Sequence, residues 1–117
     1  MDKIDYLKLA PKWIPEEQII RILKKSPMLL PTVEAMVSED DFSDELRNIY
    51  HALVMLIKEN KSIEPFSMFL YVSSQETLLY THIIAIQNNE YRMLGELQSA
   101  CLSLRNRNKL KDGEGNG

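Results

Sequence analysis

The chain has 117 residues, which fits one small domain, and 44% of them are hydrophobic, which argues against intrinsic disorder. The formal net charge of −3 gives no general reason to bind nucleic acid, and the single cysteine excludes an internal disulfide and favours a reducing compartment. Glycine is scarce, which disfavours an all-β fold, and no apolar run reaches the length of a membrane span. We therefore expect a cytoplasmic protein that makes no membrane contact.

A stretch interrupted by prolines leads into the first predicted helix. We interpret residues 1–14 as an N-terminal arm or linker, because Pro11 and Pro15 break any regular pattern there. Pro15 suits the first position of a helix, and the two glutamates that follow complement the helix dipole. An apolar face and two closing lysines complete the pattern. The sequence predicts a helix at about 15–25, which Pro27 ends.

Two further helices are predicted before residue 61. A short one begins at Pro31, and a longer one covers about 43–59 and is ended by Asn60. Ser43 is the expected N-cap of the longer helix, and Phe42 lies where a hydrophobic staple would. The apolar residues of this helix recur at helical spacing and are Leu46, Ile49, Tyr50, Leu53, Val54 and Ile57.

A proline and a capping-box pattern mark the next two helices. Pro65 begins a short helix, in which the sequence predicts burial of Phe66, Phe69, Leu70 and Val72. Ser73 and Glu76 have capping-box spacing, so we predict a helix at about 74–86, although this segment is rich in strand-favouring residues. The side chains expected on its buried side are Leu78, Leu79, His82, Ile83 and Ile86.

The last predicted helix runs from about 90 to 110, after a break at Asn88–Asn89. Its narrow apolar seam consists of Leu94, Leu97, Cys101 and Leu104. The polar, glycine-rich tail, residues 111–117, is predicted to be disordered. The sequence therefore predicts an all-α fold: a small multi-helix bundle of about five to six helices within residues 15–110, ending in a longer helix.

No catalytic or metal-binding pattern accompanies these helices. The acidic residues between positions 40 and 45 lack the spacing and the glycine of a calcium loop, so we interpret them as capping charge. His51 and His82 have neither zinc-ligand spacing nor a nucleophile nearby, and we expect both to be partly buried and hydrogen-bonded. We predict no catalytic residue, no metal and no cofactor, and a chain that is not itself an enzyme.

The last helix is basic and contains one glycine. Gly95 either permits a close helix contact or costs about 1 kcal/mol relative to alanine. We interpret the cations as a complement to the helix dipole and an aid to solubility rather than as a nucleic-acid stripe. They are Arg92, Arg105, Arg107, Lys109 and Lys111.

The order of the motifs is informative in itself. The chain contains EEQIIRILKKSPMLLPTV, then EDDF, then SDELRNIYHALVMLI, then a short proline-led helix, then LQSACLSLRNRNKL. This order resembles the C-terminal helicase-binding domain of bacterial DnaG-type primases. In that family an aliphatic first helix ending in P-x-L-L precedes an acidic-Phe step, and a helix with [LIF]-[YF]-x-x-[LI] follows. The corresponding residues here are 17–30, 39–42, 49–53 and, for the closing helix, 97–110.

The resemblance implies a non-catalytic domain that docks onto the N-terminal domain of the hexameric DnaB-type replicative helicase and couples primer synthesis to unwinding. It also implies a monomer that does not bind nucleic acid directly. Two alternatives remain open: the N-terminal domain of the DnaB-type helicase itself, which is similar in fold, and a small helical DNA-binding regulator. The helicase domain usually carries a glycine in its first helix, where this chain has Arg21 and Ile22.

The end of the last helix is the candidate partner-binding region. Fewer residues of the domain remain to cover this half of the helix, so we expect Leu102 and Leu110 to be exposed. Arginine beside exposed apolar residues is common at interfaces. In the family that the chain resembles, this half leads toward a terminal hairpin that contacts the helicase. The candidate partner-binding residues are Leu102, Arg105, Arg107 and Leu110.

Overall fold

The computed structural model describes residues 14–86 and 93–116, with side chains described as far as Arg107 in the last helix. Within these ranges the backbone forms six α-helices and no strand, which confirms the all-α prediction. Residues 1–13 of the predicted arm and the break at Asn88–Asn89 lie outside the described residues, whereas Ile14, the last residue assigned to the arm, is already part of the first helix. The helices are α1 (Ile14–Lys25), α2 (Leu30–Glu34), α3 (Asp44–Lys58), α4 (Pro65–Met68), α5 (Ser74–Ala85) and α6 (Met93–Asn116).

Helix α1 is the centre of the bundle and agrees with the helix predicted at about 15–25. It packs most extensively on α6 and also contacts α5 and α3. Such a helix needs neighbours on several sides, because its apolar residues cover more than one face. The aliphatic side chains that it buries completely are Ile19, Ile20, Ile22 and Leu23.

Two short 3-10 turns connect α1 to α3. Pro27–Leu29 joins α1 to α2, which begins one residue before the predicted start at Pro31. Glu39–Asp41 precedes α3, and there the N–H of Ser38 donates to the Asp41 carboxylate at 2.9 Å. The acidic residues of this turn therefore include a capping side chain, in agreement with the sequence interpretation.

Helix α3 agrees with the predicted helix at 43–59, and Leu53 is fully buried at its centre. Its C-terminus is closed by Asn60, which adopts a left-handed backbone with φ of 57°. The N–H of Asn60 donates to the Ile57 carbonyl at 3.0 Å, and that of Lys61 donates to the Leu56 carbonyl at 2.9 Å. This pair of bonds is a Schellman motif, which asparagine tolerates better than most residues other than glycine.

The N-terminus of α3 differs from the prediction in its side-chain bonds. Ser43 has the extended backbone of an N-cap, but its hydroxyl makes no capping bond and donates instead to Glu16. Phe42 is buried, as a staple residue should be, but its ring stacks on Tyr50 with centroids 4.1 Å apart. At Ser43, a contact with α1 therefore takes the place of the expected local capping bond.

The short helix α4 begins at Pro65 as predicted but buries a different residue. Only Met68 of this helix is fully buried. Val72, also predicted to be buried, is half-buried. The prediction is wrong for Phe66, Phe69 and Leu70, which are exposed.

Helix α5 confirms the helix prediction and its Ser73–Glu76 capping box, but its buried side is shifted. Leu79 and Ile83 are buried as predicted, together with Tyr80, which the prediction missed. The prediction of a buried side is wrong for Leu78 and Ile86, which are exposed, while His82 is half-buried.

Helix α6 carries the predicted apolar seam with one exception. Leu97, Cys101 and Leu104 are fully buried, whereas Leu94 is exposed. The helix extends to Asn116, so its last turns cover residues for which the sequence predicts a disordered tail. A Cβ placed on Gly95 would meet nothing within 4 Å, so this glycine does not serve a close helix contact. No helix in the described ranges has both the length and the apolar character needed to cross a membrane.

Candidate functional site

The outward side of α6 presents two of the four candidate partner-binding residues. Leu102 is 47% exposed and Arg105 is exposed. Their positions follow from the seam, because Cys101 and Leu104 point into the core and their neighbours in sequence then face away from it. Exposure of Leu102 was predicted, and the side chain of Leu110 lies outside the described residues.

Arg107 has a different environment from Arg105, because it is bonded to the domain itself. Its guanidinium donates to the Glu16 carboxylate at 3.0 Å and to the backbone carbonyl of Asp41 at 3.1 Å. One side chain of α6 thus joins α1 to the turn that precedes α3. A partner could use Arg107 only by competing with these bonds.

Glu16 is the buried centre of this arrangement, and its side chain has no exposed surface. It accepts bonds from both the backbone N–H and the hydroxyl of Ser43, each at 2.7 Å, in addition to the bond from Arg107. A buried carboxylate is tolerated when charge-assisted bonds of this kind satisfy it. We call Glu16, Ser43, Arg107 and the Asp41 carbonyl the Glu16 cluster.

The Glu16 cluster joins three segments that are far apart in the chain, and it leaves no free group for chemistry. The carboxylate is already bonded at both oxygens, by Ser43 on one side and by Ser43 and Arg107 on the other. Its function is therefore to hold α6 and the start of α3 onto α1.

A second buried carboxylate, Glu17, lies next in sequence and is less well satisfied. Burial raises the pKa of Glu17 from 4.5 to about 7, and nearby Arg21 opposes this rise. One oxygen, Oε2, has no hydrogen-bond partner among the described residues. Burial also lowers the pKa of Arg21, while the charges of Glu17 and of Glu96 in α6 raise it. The Glu17 carboxyl therefore titrates closer to neutral pH than an ordinary carboxyl.

An open groove of about 430 Å³ lies between α2 and α3 and includes one of the two histidines. His51 Nδ1 is 2.7 Å from a Glu39 carboxylate oxygen, and Lys58 is 2.7 Å from Glu34. His51 is hydrogen-bonded, as predicted, but mostly exposed rather than partly buried. Each of these two side chains of α3 is therefore already bonded to a carboxylate at the edge of the groove.

The single cysteine is a core residue, and the potential metal ligands of the described residues are dispersed. Burial raises the pKa of the Cys101 thiol to about 11, so it stays protonated at neutral pH and behaves as a core residue. Among the described residues, no three or more His, Cys, Asp or Glu side chains are grouped so as to hold a metal ion.

The most exposed apolar side chains of the described chain include a compact set on α4 and the turn that follows it. Phe66 is 84% exposed and Leu70 is 70% exposed, with Phe69 and Tyr71 also exposed. Residues 66, 69 and 70 are three and four positions apart, so they share one face of the helical turn. We call Phe66, Phe69, Leu70 and Tyr71 the aromatic surface.

The sequence interpretation missed both the Glu16 cluster and the aromatic surface. Nothing local links Glu16 with Arg107, because 91 positions separate them. The aromatic surface was visible only as apolar residues, which the sequence interpretation assigned to the core. Searches of protein-family models, curated proteins and solved structures find nothing that matches this chain.

Proposed function

We propose that this chain is a non-catalytic interaction domain of a DnaG-type primase, which binds the N-terminal domain of a DnaB-type replicative helicase. The proposal begins from the motif order described above. It requires that residues of successive motifs contact one another in the folded domain, because a chance order of motifs would not produce such contacts.

The observation that carries the proposal is the stacking of Phe42 on Tyr50. Phe42 ends the acidic-Phe step, and Tyr50 is the aromatic residue of the helix motif that follows it. Their rings lie 4.1 Å apart with an angle of 16° between the planes, and both side chains are buried. The two motifs are therefore two halves of one contact, which gives a physical reason for their joint occurrence.

The outward side of α6 supplies a surface suited to the proposed docking. Leu102 and Arg105 are exposed beside each other on a helix whose inward seam is fully packed. An exposed leucine with a neighbouring arginine is the kind of pair that contributes binding energy at protein interfaces. Arg107 contributes indirectly, because its bond to Glu16 fixes the orientation of this part of α6.

The test is titration of the cognate helicase N-terminal domain into the labelled chain, with Leu102→Asp and Arg105→Glu as variants. We expect saturable binding by the wild type and at least a tenfold loss in each variant, about 1.4 kcal/mol or more. Both positions are exposed, so circular dichroism and thermal melting should show that the variants remain folded. Leu78→Asp, exposed on α5, is the matched control and should bind like the wild type.

One result would contradict the docking surface on α6, and another would contradict the proposed function itself. If the wild type and both variants bind equally well, the interface lies elsewhere on the domain. If the wild type does not bind at high micromolar concentration, the assignment to the helicase-binding family fails. A parallel titration with DNA at varied salt separates the proposed function from a DNA-binding regulator, whose affinity falls steeply with salt.

A further inference from the structure

We infer that the aromatic surface is a self-association face, through which two copies of this chain form a reversible dimer. Sequence analysis predicted a monomer and assigned three of these four side chains to the core. Their exposure instead leads to the opposite expectation. The inference does not depend on the proposed helicase docking, which uses the outward side of α6.

The aromatic surface is held in place by contacts on its inner side. Met68, on the opposite face of α4, is fully buried and anchors the helix in the core. The Tyr80 hydroxyl donates to the Ile63 carbonyl at 2.5 Å and fixes the segment that enters α4. Backbone bonds from Phe69, Tyr71 and Val72 continue the helical turns beyond Met68. The exposed rings are therefore displayed on an ordered backbone, which reduces the entropy lost on association.

The charge distribution indicates what covers this surface. Between positions 65 and 86 the only acidic or basic residues are Glu76 and His82, in a chain that is 26% Asp, Glu, Lys and Arg. Glu76 is already bonded to the Ser73 backbone and to Asn48. Each copy carries a net charge of −3, which opposes association in general. None of the four side chains of the aromatic surface is charged, and Lys61, which interacts electrostatically with Tyr71, adds a cation rather than an anion beside them. Two identical copies that are each negatively charged overall therefore meet on this surface with little repulsion.

The area of the aromatic surface determines how tight a dimer we expect. The four side chains are 84%, 55%, 70% and 46% exposed. Taken with the usual area of such side chains, this amounts to about 500 Å² per copy. Stable dimers bury about 800 Å² per partner, and obligate dimers bury more. We therefore expect a weak two-fold dimer with a dissociation constant in the micromolar range, roughly 1–100 μM, rather than a permanent assembly.

The test is sedimentation equilibrium of the purified chain over a range of concentrations. The wild type should shift from monomer to dimer, and about 1 M NaCl should leave this shift intact or strengthen it, because apolar contacts drive it. Phe66→Asp should abolish the dimer, since a two-fold interface places both new carboxylates close together. Leu102→Asp is the control, because α6 packs on α1 and α2 while α4 packs on α5 and α3. It should dimerise like the wild type.

A cross-linking experiment gives a second, independent measurement. Phe69→Cys should form an intermolecular disulfide under mild oxidation, whereas Ser103→Cys, exposed on α6, should not. The inference is overturned if the wild type remains monomeric at about 1 mM, the range of only very weak complexes. It is also overturned if Phe66→Asp dimerises as tightly as the wild type, or if the mass continues beyond a dimer. None of these results bears on helicase binding, which the Leu102 variant measures separately.

Discussion

Arg107 in the last helix and Glu16 in the first are joined by an ion pair of 3.0 Å, although 91 positions separate them in the chain. Glu16 has no exposed surface, while the Arg107 side chain is one-third exposed. The pair therefore has one buried and one accessible end. Since Glu16 also accepts two bonds from Ser43, the pair joins α1, α3 and α6 at one carboxylate.

Replacing Arg107 with alanine should destabilise the fold by about 1–3 kcal/mol, because the buried Glu16 carboxylate loses its only described cationic partner but keeps its bonds to Ser43. Urea denaturation measures the loss. Arg105→Ala is the matched control and should change the free energy of unfolding by less than about 0.5 kcal/mol, since Arg105 is exposed. Equal effects of the two substitutions would contradict the asymmetry between these arginines.

Replacing Ser43 with alanine should cost about 1.5–3 kcal/mol, because its hydroxyl donates to a buried carboxylate. A local N-cap would predict about 1 kcal/mol, independent of Glu16. A double-mutant cycle with Glu16→Gln separates the two explanations. We expect the cost of Ser43→Ala to fall below about 1 kcal/mol in the Glu16→Gln background; an unchanged cost would restore the capping explanation.

Replacing Leu53 with alanine should destabilise the domain by about 2–5 kcal/mol, the usual cost of deleting a fully buried leucine side chain. Leu70→Ala is the control, because Leu70 is 70% exposed and its truncation should change stability by less than about 0.5 kcal/mol. Chemical denaturation of both variants gives the comparison. A loss below about 1 kcal/mol for Leu53→Ala would mean that the core of α3 is wrongly assigned.

The contribution of Glu17 to the free energy of unfolding should fall as the pH rises toward neutrality. Its pKa is about 7 in the fold and 4.5 for an ordinary glutamate, so between these values the folded chain holds a proton that the unfolded chain releases. The contribution is complete below the lower pKa and is lost as the pH passes through the upper one. At about pH 8, Glu17→Gln should therefore be more stable than the wild type, by about 1–3 kcal/mol.

The pH experiment compares unfolding free energies from about pH 4 to pH 8 for the wild type, Glu17→Gln and the exposed control Asp40→Asn. Other carboxyls titrate in all three proteins, so only the difference from the wild type is informative. The difference in unfolding free energy between Glu17→Gln and the wild type should grow with pH. The same difference for Asp40→Asn should not change with pH. A flat difference for both would show that the Glu17 carboxyl is solvated in solution.

Replacing Gly95 with alanine should stabilise the domain by about 0.5–1 kcal/mol, because alanine loses less backbone entropy in a helix. The site is exposed, and a Cβ placed there meets nothing within 4 Å. Thermal melting measures the gain. Destabilisation by alanine would show that Gly95 is in close contact with another segment in solution.

The positions of the helices could be predicted from local sequence because their determinants are local. Pro15 and Pro65 mark helix starts, the Ser73–Glu76 capping box opens α5, and Asn60 closes α3. Each of these signals acts within one turn of backbone. The inward seam Leu97–Cys101–Leu104 was equally readable, because a long helix repeats its pattern often enough to define a face.

The tertiary structure alone decided which apolar residues are buried and which polar residues are joined. Helix α4 has a single turn, too short for periodicity to show that Met68 rather than Phe66 faces the core. In helix α5 three consecutive apolar residues, 78–80, face different directions, so the pattern does not define one buried side. Tyr80 lies inward, where its hydroxyl reaches the Ile63 carbonyl. The Glu16–Arg107 pair joins residues that no local pattern relates, since only the packing of α6 on α1 brings them together. Local sequence therefore determined where the helices lie, and packing between helices determined the core and the surfaces available for binding.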